Sequence, residues 1–101
     1  MDDQAASGSS GAQPLSAIAT IRNKRGLHAR AAAKFVQVSG GFKAAINVSK
    51  GTQTVSGNSI MGLMMLAAGP GCEIEISASG ADAQAALDAI TALIDAKFDE
   101  E

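Results

Sequence analysis

The segment from Cys72 to Ser79 alternates residue by residue, with Cys72, Ile74, Ile76 and Ala78 on one side and Glu73, Glu75, Ser77 and Ser79 on the other. Side chains of a strand point to its two faces in turn, so this segment calls for a sheet with one buried and one wet face. The apolar face of such a sheet must be covered by other elements. The rest of the chain supplies them. Leu15 to Arg22 alternates more weakly, with Ala17, Ala19 and Ile21 sharing a side, and reads as a first strand. Arg22-Asn23-Lys24-Arg25-Gly26 is a polar, basic loop ending in a breaker. From His28 or Ala29 the chain becomes helix-favouring, with Ala32, Phe35 and Val36 on one face, until Gly40-Gly41 stops it. Phe42 to Ser49 and Thr52 to Val55 read as two strands of a hairpin turning at Lys50-Gly51. A short helix over Ser59 to Leu66 ends at Gly69-Pro70-Gly71. Asp82 is placed to cap a last helix in which Leu87, Ile90 and Ile94 recur at helical spacing, and Asp99-Glu100-Glu101 reads as a charged, frayed end. The order β-α-β-β-α-β-α is that of an open α+β sandwich.

At 101 residues the chain suits one domain, assigned to residues 15–101 and preceded by a disordered tail over residues 1–14, whose Ala, Ser, Gly, Gln and Asp bury little. Aromatics make up 3%, with no Trp or Tyr, so the core must be aliphatic. The net charge of -2 argues against a nucleic-acid partner, as does the lack of base-stacking aromatics. A single cysteine, Cys72, excludes an internal disulfide and fits a reducing compartment; it falls on the inward side of its strand. No apolar run is long enough to cross a bilayer and the first residues do not resemble a secretory signal, so a cytoplasmic location is expected, without membrane attachment.

His28, the one histidine, sits where the basic loop becomes a helix. A helix N-terminus carries unpaired N–H groups and partial positive charge, which together bind phosphate. The same positive end disfavours an imidazolium, leaving a neutral, nucleophilic ring. Arg30 can present donors to the same anion. Hydrolysis usually needs a second acid or base, yet no carboxylate lies between Ala12 and Gly71. That deficit suits a carrier that keeps its phosphoryl group, unless a carboxylate arrives from elsewhere in the fold.

The second helix is apolar nearly all round: Met61, Met64 and Met65 share one side and Leu63, Leu66 and Ala67 another, with Ile60 between. Full burial is the plain expectation. The alternative turns the leucines to the sheet and the methionines, adaptable in contact, to a partner. Ser59 reads as the cap of this helix, where a phosphate is also electrostatically welcome.

Gly26-Leu27-His28-Ala29-Arg30 with the following Ala31-Ala32-Ala33-Lys34-Phe35, and Asn58-Ser59-Ile60-Met61-Gly62-Leu63-Met64, resemble the active-site and regulatory-serine segments of the HPr family of the phosphotransferase system. The resemblance runs from Leu15 to about Lys97. It implies a four-stranded antiparallel sheet with three helices on one face. It implies that His28 takes a phosphoryl group on Nδ1 from enzyme I, charged by phosphoenolpyruvate, and passes it to a IIA-type protein. Arg30 and the Ala29 amide would hold the phosphate, Ser59 would be open to HPr kinase/phosphorylase, and Ile60, Met61 and Met64 would form the docking patch. The resemblance describes a stoichiometric carrier that acts as a monomer, with neither cofactor nor metal. Ala31 departs from the family's usual Pro; Ala supports the helix, so the fold should hold. Asn58-Ser59 and the acidic ending resemble the nitrogen branch, NPr, with a mainly regulatory output, whereas Ile60-Met61-Gly62 resembles the sugar branch. Two rivals share the size and the α/β content or the basic loop: a small acylphosphatase-like hydrolase, whose arginine-bearing phosphate loop is missing, and an RNA-binding module, against which the acidic charge weighs.

Overall fold

The computed structural model describes residues 14–100, so the tail expected over residues 1–14 lies, but for Pro14, outside the described residues. Seven main elements follow in the expected order: β1 (Leu15–Thr20), α1 (Ala29–Ser39), β2 (Ala45–Lys50), β3 (Gln53–Ser56), α2 (Ile60–Met65), β4 (Glu73–Ser79) and α3 (Ala83–Asp95). The strands pair antiparallel in the order β1-β4-β2-β3. This is the open-faced α+β sandwich, and no helix among the described residues is long and apolar enough to cross a membrane.

Register aligns the apolar residues on one face. Ala17 lies opposite Ile76 and Ala19 opposite Ile74. Val48 lies between Ile76 on one side and Val55 on the other. Ile46, Val48, Ile74, Ile76 and Ala78 are buried under the helices, which contribute Ala31, Ala32, Phe35, Leu63, Leu66, Leu87, Ile90 and Ile94. A one-residue slip would turn every one of these strand residues to water, so burial of one face pins the pairing. Cys72 stands one residue ahead of β4 and is half-buried against the core, rather than inside the strand.

Two expectations fail in instructive ways. Asp82 occupies the N-cap position of α3 but makes no cap bond. Its carboxylate accepts instead from the main-chain N–H groups of Lys43 and Ala44, at 2.9 and 2.8 Å. Those two donors lie just ahead of β2, and two charge-assisted bonds outweigh one cap. Through Glu100, the last described residue, the chain end is not frayed; Glu101 lies outside the described residues. After α3 the chain makes a tight turn over Lys97–Asp99 that seats Phe98 completely in the core. In a chain this poor in aromatics, burying a phenyl ring supplies apolar area that nothing else nearby can match.

Candidate functional site

The loop from Ile21 to Leu27 is fixed before α1 begins. The Ile21 N–H donates to Cys72 O at 2.9 Å, and the Leu27 N–H to Ala68 O at 2.9 Å. Gly26 adopts φ +64, and a Cβ there would lie 2.3 Å from Ala68 O, so only glycine permits this approach. Asn23, fully buried, donates from Nδ2 to Gly26 O at 2.8 Å and holds the loop from inside. The loop therefore delivers His28 to the N-cap of α1 in extended conformation, φ -73 and ψ 178.

His28 does not cap the helix with its side chain. The first α1 amide bonded back to the loop is that of Ala32, to His28 O at 2.9 Å. By helix geometry the N–H groups of Ala29, Arg30 and Ala31 precede the intrahelical ladder and are left for other acceptors. Ala31, where the family usually has Pro, is fully buried and starts no distortion: α1 begins at Ala29 and runs to Ser39. Arg30 is exposed and, with Lys24, Arg25, Lys34, Asp99 and Glu100, lines a shallow depression beside the helix start. Four of these six are cationic, which makes the depression attractive to an anion.

The imidazole's hydrogen-bond partner among the described residues is Glu100, whose Oε2 contacts Nε2. Both side chains are mostly shielded, at 14% and 16% exposure. The other oxygen of Glu100 accepts from Asn23 Nδ2 at 3.1 Å. Burial by itself raises the Glu100 carboxyl pKa, but the hydrogen bonds from Asn23 and His28 and the charges of His28 and Arg25 outweigh it and hold the carboxyl below its ordinary value. The absence of a carboxylate near His28, expected from the Ala12–Gly71 stretch, is thus corrected by a residue 72 positions further along the chain. Sequence reading missed Asn23, Glu100 and Lys34, whose Nζ donates to Phe98 O at 2.6 Å. One signal was present: in a chain with only three phenylalanines, one that follows the last helix is a natural anchor for a fold that must fill its core with few aromatics.

The second segment divides by face. Leu63 and Leu66 are buried, whereas Ile60, Met61, Met64 and Met65 are 42, 72, 43 and 65% exposed. Burial all round is therefore overturned, since a six-residue helix lying on one side of a thin sandwich can cover only one of its flanks. Ala67 departs from the leucine side: it is exposed, at φ +54, where the chain leaves the helix. Ser59 Oγ accepts from the Gly62 N–H at 2.9 Å and caps α2 as expected. Ser39 ties the two segments together, its hydroxyl lying 2.7 Å from Gly57 O and 2.9 Å from Asn58 Oδ1. His28, Ala29 and Arg30 thus share one helix start, and Ser59, Ile60, Met61 and Met64 share the exposed start of a helix packed against the first.

Comparison with known proteins agrees with this geometry. Residues 15–96 match the PTS-HPr family, described as the PTS HPr component phosphorylation site. The phosphocarrier protein NPr of Shewanella violacea is 52% identical over 81 residues, covering 80% of this chain and 89% of that one. The phosphocarrier protein HPr of Cupriavidus necator is 48% identical over 81 residues, covering 80% of this chain and 91% of that one. The crystal structure of HPr-C-His from Thermoanaerobacter tengcongensis superposes with a TM-score of 0.83 at 42% identity, over 86% of this chain and 98% of that one. The four-stranded open sandwich and the matched sequence lead to one conclusion: the chain belongs to the HPr/NPr phosphocarrier family of the phosphotransferase system.

Proposed function

We propose that this protein is a stoichiometric phosphoryl carrier in which His28 accepts the group on Nδ1 from phosphorylated enzyme I and hands it to a IIA-type protein. The observation that carries this reading is the open start of α1: a histidine at the N-cap that leaves the first-turn amides uncapped, beside a cationic depression. The transferring group carries its charge on peripheral oxygens, which the Ala29 amide and the Arg30 guanidinium would meet. Lys24, Arg25 and Lys34 raise the local potential further. The acceptor nitrogen forms its N–P bond as the donor's N–P bond breaks, and the electron pair of that bond returns to the donor. No net hydrolysis is required, which is why the protein works as one partner in a relay rather than turning over a substrate alone.

Docking falls to Ile60, Met61 and Met64, exposed apolar side chains on a helix packed against α1. Methionine adapts its shape to different partners at little cost, as a relay component must. Ser59 stands at the head of that patch, and its modification by an HPr kinase/phosphorylase would place about -1.5 to -2 charges among the docking residues. A cytoplasmic monomer serves such a relay. Purified enzyme I with labelled phosphoenolpyruvate tests the reading. One acid-labile phosphoryl group per chain is expected, absent from His28→Ala; continued labelling of that variant would refute the assignment. Offering sugar-branch and nitrogen-branch IIA proteins to the labelled chain then identifies the acceptor.

A further inference from the structure

We infer that Glu100 is a positioning residue for His28: the carboxylate brought in by the C-terminal turn holds Nε2–H, and so presents Nδ1 as the ring's nucleophilic nitrogen. This rests on the reading of His28 as the phosphoryl acceptor. A neutral imidazole carries its proton on one nitrogen, and the hydrogen bond made by one nitrogen decides which lone pair the other exposes. Glu100 Oε2 contacts Nε2, and an ionised carboxylate only accepts, so the contact selects the tautomer with a bare Nδ1. The carboxylate sits on the opposite edge of the ring from the transferring group, where it cannot serve as a base for water attacking phosphorus.

The delivery of Glu100 is built, not incidental. Lys97, Phe98 and Asp99 all adopt left-handed backbone conformations, with φ 59, 56 and 61. Each such non-glycine residue is costly, and three in succession persist only if the surroundings over-determine them. Three contacts do so: Phe98 is completely buried, Lys34 Nζ donates to Phe98 O at 2.6 Å, and Asn23 Nδ2 donates to Glu100 Oε1 at 3.1 Å. Asn23 in turn is fixed through Gly26 O, within the loop that places His28. The same buried amide therefore registers the histidine loop and the carboxylate against each other. The low carboxyl pKa of Glu100 keeps it ionised through the neutral range.

The role extends through the transfer. When Nδ1 donates its lone pair to phosphorus, the N–P bond of the donor breaks and its electron pair returns to the donor's nitrogen. The His28 ring keeps its Nε2 proton and becomes positively charged, and Glu100 supplies the countercharge. On the onward step the N–P bond breaks, the electron pair returns to Nδ1, and the ring is again the neutral Nε2–H tautomer. No proton need exchange with water in either direction.

The test uses the full chain with a 15N-labelled imidazole, at alkaline pH where an imidazole is uncharged. Wild type is expected to show protonated Nε2 and bare Nδ1. Glu100→Ala should give a tautomer mixture and slow phosphoryl transfer from enzyme I by about tenfold, the scale of one charge-assisted hydrogen bond. Glu100→Gln, whose amide oxygen still accepts Nε2–H, should restore the tautomer and part of the rate. Asp95→Asn, which removes a charge from the exposed end of α3, should change neither. Wild-type tautomer populations in Glu100→Ala overturn the proposal even if transfer slows, because a merely structural role would leave the ring's proton where it is. If wild type accepts no phosphoryl group, the acceptor reading falls by itself, and the nitrogen spectra still judge whether Glu100 sets the tautomer.

Discussion

His28 and Ser59 hold the same place on two helices that pack together. Both are N-caps in extended conformation, at φ -73, ψ 178 and φ -112, ψ 109. Ser59 uses its hydroxyl oxygen on the Gly62 N–H, 2.9 Å away, and closes its helix. His28 turns its ring aside to Glu100 and leaves its helix open. A capped start is stable and electrostatically satisfied; an uncapped one keeps its donors for a ligand. The difference separates a site available for anion chemistry from one where a phosphate must displace an existing bond. The same fold thus carries two adjacent helix starts of opposite character, one proposed as the reacting centre and the other as a point of control.

The comparison breaks most completely if the open start is closed. His28→Ser would give α1 a cap like that of α2, and labelling by enzyme I and phosphoenolpyruvate should vanish while circular dichroism still reports a folded chain. Retained labelling would show that the reacting group lies elsewhere. Next in size is the anchor that brings a carboxylate to the open start. Phe98→Ala should cost about 3–5 kcal/mol, read by urea unfolding, since it empties a fully buried aromatic site. A loss under about 1 kcal/mol would mean that the C-terminal turn does not depend on that side chain.

Opening the closed start is a smaller change. Ser59→Ala should cost about 1 kcal/mol in unfolding free energy without affecting labelling of His28. Ser59→Asp keeps a good cap, so it should leave stability near wild type but slow transfer from enzyme I by placing charge beside the docking patch. Equal rates for wild type and the Asp variant would remove the control reading of Ser59.

Glu100 gives the pH dependence its sign. Its folded carboxyl lies below the ordinary value of 4.5, so it contributes stability that is fully present above that pH and lost as the pH falls through the lower folded value. The stability gap between wild type and Glu100→Gln should therefore close as the pH is lowered from about 5 toward 3. A gap that widened on acidification would contradict the ionised contact. Smallest of all is the stability effect of Met61→Ala, expected within about 0.5 kcal/mol because Met61 is 72% exposed, although affinity for enzyme I should fall measurably. A large stability loss with unchanged affinity would make Met61 part of the core.

The alternation of Cys72–Ser79, the helix start after the basic loop and the Leu87, Ile90, Ile94 spacing are local patterns, and each reappears in the structure within a residue or two of its expected bounds. Local periodicity registers which side chains share a face, and in a sandwich with one wet side that nearly dictates the pairing. The His28 and Ser59 positions are also local, since a cap is a matter of neighbouring residues. The α2 segment was ambiguous for the opposite reason: an apolar residue on every side carries no moment, and only packing against the sheet and α1 turned Leu63 and Leu66 in and the methionines out. Asp82 shows the same limit, because a cap residue can be claimed by donors nearly forty positions away.

Short-range chemistry, then, was enough to specify the strands, the helices and the histidine at the head of α1. What it could not specify was the company that histidine keeps. Asn23, Lys34, Phe98 and Glu100 meet only after the chain has closed a loop of 72 residues between His28 and Glu100. The burial of one phenyl ring drives that closure, and it leaves no trace in the spacing of residues near either end.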